Sequence, residues 1–203
     1  MLNNYLTYLN YITNKLNKFF EQQKDYISCK RGCALCCKDA EFPYSAIEMQ
    51  LLLNGFNSLD KEVKNKVETN IQEILKKKKE HKEGRFVYDC PFLINNVCSI
   101  YEYRGVVCRS FGLMALPDSS HKKVQVPFCC YKGLNYSSVI DPATNKISTE
   151  MFLKTGIKEE PASFNVSYET LTSKDIEEVF NFKFGSKKPM IEWFETHSDA
   201  RAS

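Results

Sequence analysis

The chain has 203 residues, of which 43% are hydrophobic and 26% are charged, and its formal net charge is +3. This composition excludes an intrinsically disordered protein, and nine cysteines are too few for a disulfide scaffold, where cysteine exceeds about 8% of residues. Because 28 basic residues are balanced by 25 acidic ones, we expect neither nucleic acid nor a membrane as a partner. The length favours a single domain over residues 1–203.

The N-terminal segment places apolar side chains three or four residues apart, which predicts an amphipathic helix over residues 2–23. These side chains do not form a continuous apolar run, so we expect neither a signal peptide nor a membrane span. A chain that is not exported stays in the reducing cytoplasm, where cysteines remain thiols. The predicted localisation is therefore cytoplasmic.

The first cysteine block reads Cys29-Lys-Arg-Gly32-Cys33-Ala-Leu-Cys36-Cys37. A C-x-x-C turn lets two sulfurs point at a common centre, and Gly32 allows a tight turn before it. Successive side chains diverge in most backbone conformations, so Cys36 and Cys37 rarely bind one tetrahedral zinc ion together. They are expected to serve two sites, to ligate singly, or to hold different edges of a polynuclear cluster.

Two helices are predicted between the first cysteine block and the second. Ser45 and Glu48 have the spacing of a capping box, which predicts a helix over residues 46–53 that ends at Gly55. Residues 59–83 carry a helical stripe of apolar side chains followed by a run of lysines. A lysine run near a helix C-terminus is typical of a solvated face.

The second cysteine block contains Cys90, Cys98 and Cys108. Apolar runs at residues 92–94 and 97–101 flank Asn95 and Asn96, which predicts a β-hairpin because asparagine tolerates positive φ. Such a hairpin would bring the first two of these cysteines close together.

Arginine is rare in the chain, with five residues against 23 lysines, yet three of the five lie inside the cysteine blocks: Arg31, Arg104 and Arg109. Guanidinium groups can donate hydrogen bonds to sulfur and offset the negative charge of a tetrathiolate site. They can also hold a carboxylate or phosphate of a substrate. We therefore assign Arg104 and Arg109 to the cofactor-binding site.

The rest of the chain is less regular. Residues 124–128 are predicted to form a short strand leading to the pair Cys129 and Cys130, and residues 146–171 hold one or two further strands. A last helix is expected near Ser173, with an apolar face made of Ile176, Val179, Phe180 and Phe184. The tail around Trp193 is expected to pack against the core.

These elements predict a helix-rich α+β fold, with amphipathic helices, a small β-hairpin and irregular cysteine-bearing loops gathered around a metal site. Residues 29–130 would form the metal-binding core, and the cysteine-free residues 131–203 would be a C-terminal extension packed on it. Clustered thiols are typical of metal sites, because several thiolates must converge on one centre. The predicted ligands are Cys29, Cys33, Cys36, Cys37, Cys90, Cys98, Cys108 and Cys129.

Four segments together resemble the bacterial CxxCxxCC cysteine-cluster family, a zinc- or iron-chelating domain related to flagellin lysine N-methylases. They are Cys33-Ala-Leu-Cys36-Cys37, Cys90-Pro-Phe-Leu, Cys98-Ser-Ile-Tyr-x-x-Arg104 and Cys108-Arg109-x-Phe111. The chain departs from the family pattern in two places. Three residues rather than two separate Cys29 from Cys33, and Gly105 stands where the family has proline.

The resemblance implies a metal or iron–sulfur site. Our first expectation is a [4Fe–4S] cluster held by thiolates of the two blocks, and the alternative is a structural zinc site. The methylase members imply a further alternative: an enzyme that transfers a methyl group from S-adenosylmethionine to a lysine of a protein substrate.

Overall fold

The computed structural model of the chain describes residues 1–30, 32–38, 41–119 and 122–195, and Arg31 lies outside them. The helices are α1 Leu2–Gln22, α2 Leu35–Lys38, α3 Ala46–Asn57, α4 Lys61–Glu80, α5 Val106–Ser110, α6 Thr149–Thr155, α7 Tyr168–Leu171 and α8 Lys174–Phe180. The strands are β1 Pro43–Ser45, β2 Leu93–Ile94, β3 Val97–Cys98, β4 Met114–Ala115, β5 Ile140–Asp141, β6 Lys146–Ile147, β7 Ser163–Phe164 and β8 Lys187–Pro189. The predicted helix-rich α+β class is confirmed.

The chain folds into two compact units, each built from separated segments. The first unit comprises Met1–Leu2, Arg31–Gly105 and Phe182–Ser203, and the second comprises Asn3–Lys30 and Val106–Asn181. The strands pair two by two: β1 with β8, β2 with β3 and β5 with β6 are antiparallel, whereas β4 and β7 are parallel. No helix among the described residues combines the length and apolar character needed to cross a membrane.

In the first unit, the C-terminal segment returns to pair with the chain that follows the first cysteine block. Strand β8 pairs with β1, and the amide of Met190 donates to the carbonyl of Phe42 (2.9 Å). The indole of Trp193 donates to the carbonyl of Tyr44 (3.1 Å). The ammonium of Lys78 in α4 forms ion pairs with two glutamates of the same C-terminal segment, at 2.8 and 3.0 Å.

Helix α3 begins as its sequence predicts but ends later. The carboxylate of Glu48 accepts hydrogen bonds from the amide (2.9 Å) and the hydroxyl (2.7 Å) of Ser45. The helix continues through Gly55 to Asn57, so the glycine does not terminate it. A Cβ at position 55 would lie 2.5 Å from Cγ of Tyr103. The glycine therefore serves close packing against the segment that precedes Arg104.

The predicted hairpin is present. Strands β2 and β3 pair antiparallel, with Leu93 opposite Cys98. Asn95 and Asn96 both adopt positive φ, at 51° and 59°, as the sequence indicates. The turn sets the register of the two strands, and this register places Cys98 opposite Leu93.

The second unit packs around the apolar face of α1, whose length agrees with the prediction. Tyr5 and Tyr8 of α1 are fully buried, and the Tyr8 hydroxyl donates to the carbonyl of Leu171 (2.5 Å). The ring of Phe19 stacks on that of Phe164, with centroids 4.1 Å apart. A separate buried cluster contains Tyr26, Met114, Cys130, Tyr136, Val139 and Ile140.

Several local predictions for the second unit need correction. Residues 124–128 form only a single bridge, between Gln125 and Ala115, before a 3₁₀ helix over Phe128–Lys132. One or two strands were expected over residues 146–171, which contain the two strands β6 and β7 but also the helices α6 and α7.

Helix α8 begins where expected, but its predicted apolar face is wrong. Asn181 ends the helix with φ 51°, so Phe184 lies beyond it. Val179 is 76% exposed. A two-turn helix has too few residues to reveal its buried side by periodicity alone.

Candidate metal centre

We group four cysteines of the first unit as candidate metal ligands and call them the first thiolate cluster: Cys36, Cys37, Cys90 and Cys98. The one-turn helix α2 carries the adjacent pair, and the two sulfurs lie 4.0 Å apart. The amide of Cys90 donates to the carbonyl of Cys37 at 2.7 Å, which ties the start of the second block to the end of the first. Cys33 belongs to the same unit and is exposed.

The surroundings of Cys36 favour the negatively charged thiolate form of its side chain. The hydrogen bond with Cys37 is the largest of the effects that lower the pKa of the Cys36 thiol to about 7. Burial opposes this effect, and weaker contributions from backbone hydrogen bonds of the adjacent pair and from the positive charge of Arg104 lower the pKa further. Since thiolates rather than thiols bind metals, this is a metal-competent sulfur near neutral pH.

Cys98 lies in the same electrostatic environment. Burial raises the pKa of its thiol, the charge of Arg104 opposes that effect, and the charge of Cys36 adds to it. The positive charge of Arg104 therefore lowers the pKa of both thiols. Its guanidinium lies over the ring of Tyr101, 3.5 Å from the centroid, which fixes the orientation of the positive charge.

The remaining predicted site residues lie in the second unit. Cys129 is buried, Cys108 in α5 is partly buried, and Cys29 is exposed. Arg109 donates to the hydroxyl of Thr13 in α1 at 3.2 Å. Cys130 packs in the buried cluster around Tyr136, and burial raises the pKa of its thiol, as for a cysteine used in packing.

Cys29 contacts a residue that sequence analysis did not single out. Asn135 is completely buried, and its amide nitrogen lies 3.3 Å from the Cys29 sulfur. The two residues are 106 positions apart. In an irregular segment an asparagine is ordinarily a turn residue, so no sequence signal marks it as a partner of a cysteine.

The sulfurs of Cys36 and Cys37 are spaced as two ligands of one metal ion would be. In a tetrahedral thiolate site with metal–sulfur bonds of about 2.3 Å, neighbouring sulfurs lie about 3.8 Å apart. The distance of 4.0 Å between Cys36 and Cys37 is close to this value. Across the described parts of the chain, no three cysteine, histidine, aspartate or glutamate side chains stand in a metal-holding arrangement.

A comparison with protein families matches residues 28–130 to CxxCxxCC, described as "Putative zinc- or iron-chelating domain". The chain belongs to the CxxCxxCC family. The match begins one residue before Cys29 and ends at Cys130, so it includes every predicted ligand. Membership in CxxCxxCC supports chelation of zinc or iron by a cysteine cluster, and it supports neither a particular cluster type nor S-adenosylmethionine binding. The comparisons with curated proteins and with solved structures found no match.

Proposed function

We propose that the first unit chelates one tetrahedrally coordinated metal ion through the first thiolate cluster, and that this ion is zinc. The observation that carries the proposal is the pair Cys36 and Cys37, whose sulfurs lie 4.0 Å apart. This distance suits two ligands of the same ion. The sequence predicts that these two side chains diverge, and the short distance between their sulfurs differs from that expectation.

The electrostatics of the cluster support the same function. Four thiolates around a divalent ion carry a net charge of about −2, which is costly to bury without compensation. Arg104 supplies positive charge beside Cys36 and Cys98. Hydrogen bonds from the backbone to the Cys36 sulfur spread the remaining charge. All the donors are sulfur, and thiolates favour zinc over magnesium, calcium or manganese.

An iron–sulfur cluster is the second candidate. The first unit contains five cysteines, Cys33 and the four of the first thiolate cluster, and a [4Fe–4S] cluster requires four thiolates. Hydrogen bonds to sulfur, such as those of Cys36, also tune the potentials of iron–sulfur sites. Thiolates of a [4Fe–4S] cluster bind different iron atoms, so this alternative requires the Cys36 and Cys37 sulfurs to separate.

Metal analysis and visible absorption of the full chain, purified without oxygen, test the proposal. We expect a colourless protein with one zinc ion per chain and no acid-labile sulfide. A brown protein with iron, sulfide and sulfur-to-iron charge-transfer absorption would establish the second candidate instead. A protein that retains no metal and takes up neither zinc nor iron would refute both.

Two matched variants locate the metal. Cys36→Ser removes the sulfur whose pKa is lowered to about 7 and should abolish stoichiometric binding. Cys130→Ala removes a cysteine that packs in the second unit and should leave the metal content unchanged. Arg104→Gln should weaken metal binding about 10- to 100-fold, the usual effect of losing an outer-shell partner. Unchanged metal content in Cys36→Ser would move the site away from this cluster.

A further inference from the structure

Cys36 and Cys37 differ from the other two cysteines of the first thiolate cluster because they are neighbours in the chain. Both are partly buried, so a small solute can reach their sulfurs, which lie 4.0 Å apart. A disulfide bond is about 2 Å long. The two sulfurs therefore need to approach each other by about 2 Å, and a movement within two adjacent residues is sufficient for this.

The short helix α2 carries the pair, and a bond between the two sulfurs requires this helix to unwind. Adjacent side chains on an α-helix point about 100° apart, whereas the Cβ atoms of a disulfide lie only about 3.8 Å apart. Helix α2 has four residues, and none of them is buried. Because a helix of one turn has little stability of its own, its unwinding costs far less than that of a long, packed helix.

A change in α2 would also reach the second cysteine block. The amides of Cys37 and Lys38 both donate to the carbonyl of Ala34 at 3.0 Å, and these bonds hold the helical turn. The carbonyl of Cys37 in turn accepts a hydrogen bond from the amide of Cys90 at 2.7 Å. A new backbone conformation at Cys37 therefore displaces the acceptor of Cys90, which is itself a proposed ligand.

Oxidation of the pair would remove half of the proposed ligands. Thiolates bind zinc, and a disulfide sulfur has no negative charge with which to do so. Only Cys90 and Cys98 of the first thiolate cluster would then remain, whereas a structural zinc site takes four ligands. Zinc has no redox chemistry of its own, so the electrons come from the sulfurs.

We infer that Cys36 and Cys37 form a redox switch, in which a peroxide joins their sulfurs in a disulfide bond and the metal is released. The thiolate of one cysteine attacks the O–O bond of hydrogen peroxide, which gives a sulfenic acid and hydroxide. The thiolate of the other cysteine attacks this sulfur and displaces a second hydroxide. The two sulfurs lose two electrons, and two protons from solvent convert the two hydroxides to water. The inference rests on the proposed metal binding and names a regulation of the same site.

The switch is reversible for a geometric reason. The Cα atoms of adjacent residues lie about 3.8 Å apart across a trans peptide bond, whereas those of a disulfide are usually separated by about 4.4 Å or more. A disulfide within the pair is therefore strained, and strained disulfides are readily reduced. A dithiol reductant should restore both thiols and with them the capacity to bind metal.

The full chain carrying Cys33→Ser tests the switch. This variant keeps the first thiolate cluster, and trypsin releases its residues 32–38 with Cys36 and Cys37 as the only cysteines. The zinc-loaded and the metal-free protein are each treated with hydrogen peroxide, and free thiols are then alkylated in denaturant. Mass spectrometry without reduction identifies the disulfides, and a zinc-binding dye measures the released metal.

We expect the peptide of residues 32–38 to lose two hydrogen atoms and to take up no alkyl group, and the zinc to be released in equal amount. Dithiothreitol followed by fresh zinc should restore both thiols and one bound zinc ion per chain. The matched control adds Cys130→Ala, which removes a cysteine that packs in the second unit. It should give the same disulfide and the same release of zinc.

The outcomes separate this inference from the proposed function. A disulfide that links residues 32–38 to residues 86–104, which contain Cys90 and Cys98, would overturn the inference. So would a bond within residues 32–38 without release of zinc, or a protein that keeps its thiols at a peroxide concentration that oxidises free cysteine. If the chain takes up no zinc, the proposed function is refuted and the release of metal with it, whereas the metal-free sample still shows whether the pair is oxidised.

Discussion

Replacing Gly55 with alanine tests whether α3 is built to support the segment that carries Arg104. Gly55 lies inside α3, and a Cβ there would be 2.5, 2.6 and 2.7 Å from Cγ, Cδ2 and Cβ of Tyr103. These atoms are at the base of the tyrosine side chain rather than its flexible end. The ring cannot rotate away from the new methyl group without displacing the 3₁₀ helix Tyr101–Tyr103.

Two opposing contributions determine the sign of the effect. Alanine is favoured over glycine inside a helix by about 1 kcal/mol. Overpacking in a well-packed region costs about 1–3 kcal/mol, and here three atoms would lie far inside the preferred carbon–carbon separation of about 3.5–4.0 Å. Because three close contacts place this cost in the upper part of the range, about 2–3 kcal/mol, we expect Gly55→Ala to lower the free energy of unfolding by about 1–2 kcal/mol.

Urea unfolding of the single and double variants isolates the contact. A Tyr103→Gly background removes all three clashing atoms, including the Cβ, so in that background Gly55→Ala should raise the free energy of unfolding by about 1 kcal/mol. Because Tyr103 precedes Arg104, the single variant should also bind metal less tightly. A Gly55→Ala protein that is as stable as the unaltered protein, or more stable, would refute the reasoning.

Three further predictions follow from the same structure. Glu48→Ala leaves the buried donors of Ser45 without their acceptor and should lower the free energy of unfolding by about 1–3 kcal/mol in urea, whereas Glu48→Gln should cost less. Asn96→Val places a β-branched residue at φ 59° and should cost about 1–3 kcal/mol, while Asn96→Gly should be nearly neutral; equal losses would contradict the turn geometry. Removing the metal with a chelator should lower the Tm, because binding energy of thiolate sites contributes to folding, and re-addition of zinc should restore it; an unchanged Tm would argue against a structural metal.

Local signals in the sequence were sufficient to predict the elements whose conformation depends on neighbouring residues. The apolar spacing of α1 predicts a helix that ends within one residue of the observed Gln22. The capping box at Ser45 and the Asn95-Asn96 turn are also local, because their hydrogen bonds and φ values involve residues close in the chain. Family membership could also be predicted from the sequence, because it depends on the spacing of cysteines along residues 28–130.

Gly55 and the segment 124–128 show where such signals fail. A glycine near the end of a helix is typical of a C-terminal stop, but here it makes room for a ring 48 positions later. The β-branched residues of segment 124–128 favour a strand, yet the segment forms one bridge and then a 3₁₀ helix. Both outcomes depend on partners that are distant in the chain.

The sequence by itself determined that this chain is a cysteine-cluster protein of helix-rich fold, because cysteine spacing and apolar periodicity are properties of short segments. Only the tertiary structure decided which side chains surround each sulfur. It turned the Cys36 and Cys37 sulfurs toward each other, placed Arg104 beside Cys36 and Cys98, and set Asn135 against Cys29. These contacts join residues up to 106 positions apart, and a pairing at such separation depends on the packing of the whole unit rather than on the residues nearby.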